Sequence, residues 1–157
     1  MSDTIDNAEK PERAFLVGVQ ADRATKEEAE SLLAELGGLA SSLGLEIAGR
    51  AMAKLRERNP AFLLGSGKAE EIAAAAKVAG ADSIVFDHQL SPVQQRNWEE
   101  LSSLKAYDRN ELIIRIFASR ARTKEAVLQV ELAQLGYALP RLAHSYDALS
   151  RQRGGRY

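Results

Sequence analysis

The chain has 157 residues, enough for one ordinary domain and an appendage. It has no cysteine, so a disulfide framework and a thiolate metal site are both excluded. Its 45% apolar content is that of a soluble globular protein, and no apolar run approaches the eighteen or so residues of a membrane span. The net charge of −1 hides a split: 12 Lys/Arg against 18 Asp/Glu up to residue 108, then 9 against 4.

Residues 1–12 are polar and acidic with no apolar signal core, and are expected to form a disordered leader. With the absence of cysteine, this points to the cytoplasm. Arg13 to Gln20 is β-rich and predicts a strand. Thr25, with Glu28 three residues on, forms a capping box that opens a helix. Ala29, Leu32, Leu33, Leu36 and Leu39 make its apolar face, and Gly44 stops it after Leu43. Leu45 to Met52 alternates as a second strand. Asn59-Pro60 breaks the chain, and Ala61 to Leu64 is apolar enough for a brief strand. Gly65-Ser66-Gly67 turns into a helix from about Lys68 to Ala79, closed by Gly80.

Asp82 to Asp87 predicts a buried strand, Ser91-Pro92 a new helix start, and Lys105 to Asp108 a fourth strand. Glu111 to Ala118 predicts a helix docked through Leu112, Ile113, Ile116 and Phe117. The alternation predicts an α/β fold over residues 13–118: a small parallel four-stranded sheet with helices on both faces.

Residues 119–157 carry a different pattern. Leu128, Leu132, Leu135, Leu139, Leu142, Tyr146 and Leu149 follow at alternating steps of four and three. That is a heptad seam, expected on a helix packed lengthwise against another. No second heptad run occurs in the chain. The α/β body, a second copy, or a segment of a longer parent must cover the seam, because soluble monomers rarely leave such a patch in water. Pro140 lies inside it and predicts a kink near Tyr137 to Pro140. The seam leads into a basic, glycine-containing tail, so the helix reads as the first arm of a helical hairpin.

Several groups are candidates for chemistry. Gly65, Ser66, Gly67 and Lys68 resemble part of a phosphate loop, but Phe62 stands where its first glycine belongs and Ala69 replaces the magnesium-binding hydroxyl. What remains is an anion site at a helix N-terminus, with Asp87 on the same sheet rim, or else a plain glycine turn. Asp87 and His88 could form an acid–base pair with Asp22 nearby. No nucleophile accompanies them, so no catalytic residue is assigned. His88 and His144 make no metal site. The tail residues Arg151, Gln152, Arg153, Gly154, Gly155 and Arg156 suit close, forked contacts to RNA phosphates. Eight of the nine late cations are arginines, Arg109, Arg115, Arg120, Arg122 and Arg141 among them. They read as a basic arm for a polyanion or as a solvated helix face.

A series of segments completes the reading. It comprises Gly65-Ser66-Gly67-Lys68 with Glu70-Glu71-Ile72, Phe86-Asp87, Leu90-Ser91-Pro92, Gln94-Gln95-Arg96-Asn97, Asp108-Arg109, Arg120-Ala121-Arg122-Thr123, Leu128 to Leu135, Leu139-Pro140-Arg141-Leu142 and Gly154-Gly155. In order and spacing it resembles the N-terminal region of the HflX family of ribosome-associated GTPases, over about residues 13–155. The resemblance implies an α/β subdomain, two antiparallel helices and then a GTPase domain. It implies binding to the large ribosomal subunit and its RNA, with the inter-helix loop, here beginning at Ser150, Arg151 and Gln152, reaching the peptidyl-transferase region. It links the family to splitting stalled or idle ribosomes and to nucleotide binding by the N-terminal subdomain, ATP included. GTP and magnesium would belong to the GTPase domain. Since the sequence stops at Tyr157, the return helix and that domain are expected to be missing, and GTP hydrolysis by this polypeptide is not expected. It is either a fragment or a shortened relative. A self-associating helical module and a small nucleotide-binding α/β protein are the alternatives.

Overall fold

The computed structural model describes the backbone of residues 10–153 and the side chains of residues 10–142. Nine elements follow in order: β1 (Arg13–Gln20), α1 (Lys26–Ser42), β2 (Glu46–Lys54), α2 (Ser66–Val78), β3 (Ser83–Phe86), α3 (Pro92–Ser102), β4 (Lys105–Asp108), α4 (Arg109–Arg120) and α5 (Lys124–Arg153). The strands form one all-parallel sheet in the order β2-β1-β3-β4. Parallel strands need crossovers, and α1, α2 and α3 supply them. β1 and β3 are central, and every residue from Ala14 to Val19 and from Ser83 to Phe86 is buried.

The two faces have separate cores. Phe15, Val17, Ile84 and Phe86 meet Ile72 of α2 and Trp98 of α3 on one side. Ala14, Leu16, Val85 and Tyr107 meet Leu33 and Leu36 of α1 and Leu112 of α4 on the other. The helices start and stop on local signals. Thr25 and Ser91 each close a full capping box, with Glu28 and Gln94. Gly44 and Gly80 take positive φ after α1 and α2, a backbone state that costs glycine nothing.

Four expectations need correction. Ala61 to Leu64 is not a strand. Asn59 Oδ1 accepts from the amides of Ala61 and Phe62, folding a tight turn whose only ladder contact is an isolated bridge between Asn59 and Leu63. The run is apolar because Leu63 and Leu64 plug the core, while Phe62 packs edge-on against Trp98 and its carbonyl accepts from Trp98 Nε1 at 2.9 Å. Leu32 is exposed, and the buried face of α1 continues instead through Gly37 and Ala40. Phe117 is also exposed, and α4 docks through Leu112 and Ile116. Glu12, at the end of the expected leader, is already held: its carbonyl accepts from Glu46 N, and its carboxylate from Tyr107 Oη at 3.4 Å.

α5 is the longest element, 30 residues or about 45 Å. Thr123 caps it, its Oγ1 accepting from Ala126 N. It lies against α3 and α4 and runs as one helix through Pro140. No described helix is long and apolar enough to cross a membrane.

Candidate functional site

In an open parallel sheet, a ligand crevice forms beyond the strands' carboxyl ends, where successive crossovers leave on opposite faces. Here that point lies between β1 and β3. Asp87 directly follows β3, its side chain only 4% exposed, and Arg109 starts α4 beside it. Arg109 Nη1 donates to Asp87 Oδ1 at 3.2 Å, and Nη2 donates to Glu35 of α1. Burial raises the Asp87 carboxyl above its ordinary range, and Arg109 pulls it back only in part. The neighbouring His88 is pushed down, first by burial and then by the Arg58 guanidinium. Asp87 is thus committed to a structural pair that ties α1, β3 and α4 together.

The glycine loop sits elsewhere on the rim. A cleft of about 620 Å³ opens at the end of β2, lined by Lys54, Leu55, Arg56, Glu57, Leu64, Gly65 and Lys68. Gly65 is the N-cap of α2 and offers no side-chain acceptor to the first-turn amides. Lys68 pairs with Glu71 at 3.6 Å on the helix surface. Asp87 does not line this cleft. β1 lies between β2 and β3, which places it roughly 10 Å away by strand spacing. The structure therefore groups Gly65 and Lys68 with two further cations and separates them from Asp87.

Sequence reasoning missed the joint where the long helix meets the sheet. Asp108 ends β4 with no exposed surface. Its Oδ1 caps α4 by accepting from Glu111 N at 3.1 Å, and its Oδ2 accepts from Leu90 N at 3.2 Å. Arg141 comes down from α5 onto the same carboxylate, with Nη2 3.7 Å from Oδ2. Its guanidinium also donates to the carbonyls of Tyr137 (2.9 Å) and Leu90 (3.3 Å) and to Gln95 Oε1, and lies over the Tyr137 ring. Burial first, then the carboxylates of Asp108 and Glu111, push the Tyr137 phenol well above its usual range. A polar cleft of about 640 Å³ adjoins this joint, with Arg58, His88, Asn110 and Tyr137 in its walls. Asp108-Arg109 and Leu139-Pro140-Arg141-Leu142 were visible as motifs, but nothing local connects residues so far apart in the chain.

These contacts also revise the picture of a basic arm. Arg109 pairs with Asp87 and Glu35, Arg115 with Glu111 and Glu12, and Arg141 with Asp108. Arg120 donates to Ser42. Half of the eight late arginines serve the α/β body.

The leucine seam is bare. Leu128, Leu132, Leu135, Leu139 and Leu142 are 55 to 72% exposed, so the body does not cover them. Beside α4, half-buried Ala126 and Val130 and exposed Ala133 line an apolar groove of about 380 Å³ together with Phe117. Tyr146 and Leu149 of the seam, His144, and the tail residues Arg151, Gln152, Arg153, Gly154, Gly155 and Arg156 lie outside the described side chains.

Comparison with known proteins matches two adjoining family models. Residues 30–118 match a GTP-binding GTPase N-terminal region, and residues 120–157 a GTP-binding GTPase middle region. A GTPase HflX of Akkermansia muciniphila is 49% identical over 150 residues, covering 94% of this chain and 34% of the relative. A GTPase HflX of Escherichia coli is 42% identical over 150 residues, covering 96% and 34%. The chain thus spans about a third of the length of the curated relatives it matches. Among solved structures, a GTP-binding protein from the archaeon Sulfolobus solfataricus in complex with GDP superposes with a TM-score of 0.62 at 25% identity, covering 90% of this chain and 42% of that one.

Proposed function

Because the chain belongs to the HflX family of GTP-binding proteins and corresponds to their N-terminal region, we propose that it is the module by which such a protein docks on the large ribosomal subunit. The observation that carries this reading is the bare seam on α5. Five leucines stand in solvent along one face of a helix that the α/β body holds by its other side. Each buried leucine contributes roughly 1.5–3 kcal/mol, so the seam is a strong adhesive for a returning helix. A paired rod of that kind would carry the segment that follows it, to which Arg151, Gln152, Arg153 and Arg156 belong in sequence, away from the body. Guanidinium groups beside glycines suit ribosomal RNA, where phosphates and unpaired bases are the accessible features.

The test is co-sedimentation with purified large subunits over a salt series. Expected are salt-sensitive pelleting and a shallower salt dependence after Arg151→Ala and Arg153→Ala, since fewer phosphate counterions are released. Pelleting that ignores both salt and these substitutions would remove the tip from the interaction. Self-association through the seam is the competing reading, and static light scattering separates the two.

A second reading has its own support. The cleft at the end of β2 gathers Lys54, Arg56 and Lys68, against the single carboxylate of Glu57, around a helix N-terminus with no side-chain cap. That arrangement suits an anionic ligand such as a nucleotide phosphate. Calorimetric titration with ATP and with GTP tests it, and flat titrations with both end it.

A further inference from the structure

Two features of α5 coincide within one turn. Pro140 has no amide hydrogen, so the carbonyl of Gly136 receives no helical bond from it. Gly136 itself is exposed, and a Cβ added there would meet nothing within 4 Å, so no close approach demands glycine. Glycine and proline are the two weakest helix formers, costing about 1 and 3 kcal/mol relative to alanine. Placed at i and i+4, they make residues 136–140 the softest stretch of an otherwise ordinary helix. The next residue is Arg141. Its guanidinium is the deepest polar contact between α5 and the body, set on the fully buried Asp108 and held by Gln95 and the Leu90 carbonyl. It also donates to the carbonyl of Tyr137, next in sequence to the one that Pro140 leaves without a partner.

We infer that residues 136–140 form a hinge in the long helix, and that Arg141, clasped by Asp108, is the positioning residue that fixes the direction of the helix beyond it. Before the hinge, α5 only lies alongside α4, with half-buried Ala126 and Val130 and exposed Ala133 on an open apolar groove between them. At the hinge the attachment becomes polar and specific. A guanidinium that faces a buried carboxylate at 3.7 Å and donates to Gln95 and the Leu90 carbonyl has a narrow range of favourable geometries, whereas small apolar side chains slide readily. The rod is therefore aimed by one charge pair placed where the helix bends most easily. The inference concerns the rod's direction and stands whether or not ribosomal RNA is what the tip meets.

Double electron–electron resonance measures this in the 157-residue chain. The sequence has no cysteine, so Val78→Cys on the exposed end of α2 and Ser150→Cys on α5 provide the only two thiols for spin labels. With Arg141 present, the distance distribution should be narrow. Arg141→Ala should at least double its width, and Asp108→Asn should broaden it less. Pro140→Ala added to Arg141→Ala should narrow it again, because the helix regains its missing bond. Fluorescence of the buried Trp98 reports whether the body stays folded. If Arg141→Ala loosens the body, Arg141→Gln, which keeps a stem over the Tyr137 ring, carries the same expectation. Superimposable distributions with and without the guanidinium would overturn the clasp. Broadening that Pro140→Ala fails to reverse would overturn the hinge.

Discussion

Asp87 and Arg109 close the carboxyl edge of the sheet as a pair, guanidinium Nη1 to carboxylate Oδ1 at 3.2 Å, at the point where an α/β sheet usually opens a ligand crevice. The carboxylate is nearly inaccessible and the arginine partly so. Breaking a buried pair from one side strands the other charge. Arg109→Ala should therefore cost about 2–3 kcal/mol in urea unfolding. The double variant Asp87→Asn with Arg109→Met should cost less than Arg109→Ala alone. A double variant as costly as the sum of its singles would show that the two residues do not act as a pair.

Tyr137 gives a prediction of opposite sign. Its hydroxyl is buried beside the Arg141 joint, close to the Asp108 carboxylate but without a hydrogen bond of good geometry to it. Removing an unsatisfied polar atom while keeping the ring is neutral or stabilising, by up to about 1 kcal/mol. Tyr137→Phe should accordingly leave the urea midpoint unchanged or raise it. A clear loss of stability would mean that the hydroxyl donates to Asp108 in solution.

His88 should titrate below the ordinary imidazole range, because burial and then the Arg58 charge disfavour its protonated form. The chain holds only two histidines, so NMR titration can follow them individually. Arg58→Ala should move the His88 midpoint upward. The linkage has a definite sign. The unfolded chain binds this proton more tightly, so its contribution falls away as pH drops through 6.5 toward the depressed folded value. His88→Gln should flatten that part of the stability profile.

The seam makes a claim about what does not matter to the isolated fold. Leu132 and Leu135 are exposed, so Leu132→Gln and Leu135→Gln should each change stability by less than about 0.5 kcal/mol. Both should reduce binding of an apolar dye and any concentration-dependent association seen by light scattering. A large stability loss would mean that the leucines are buried in solution.

Most of the α/β body was legible in the sequence because its signals are local. Thr25 with Glu28 and Ser91-Pro92 set helix starts within three residues, and Gly44 and Gly80 mark the stops. The failures came from tertiary demands on short apolar stretches. Phe62, Leu63 and Leu64 are apolar because they cap a core around Trp98, and a four-residue run cannot distinguish that from a strand. Leu32 and Phe117 obey helical spacing, yet the neighbouring helices do not reach them. The site divides in the same way. Gly65 and Lys68 were visible as a loop motif and do line one cleft, whereas Asp87 was grouped with them on position alone. The joint of Asp108 and Arg141 spans 33 residues and joins a strand end to a helix middle. Charge counting left Arg141 to a basic arm or a solvated helix face, and it is neither.

Directed hydroxyl-radical cleavage tests the central claim, that the far end of the long helix meets ribosomal RNA. Iron chelate is tethered through Ser150→Cys, or through Val78→Cys as the control, in an otherwise cysteine-free chain bound to large ribosomal subunits. The account predicts cuts from position 150 clustered in the large-subunit RNA around the peptidyl-transferase region, and none there from position 78. Equal cleavage from both positions, or none from 150 while the chain remains bound, would contradict it.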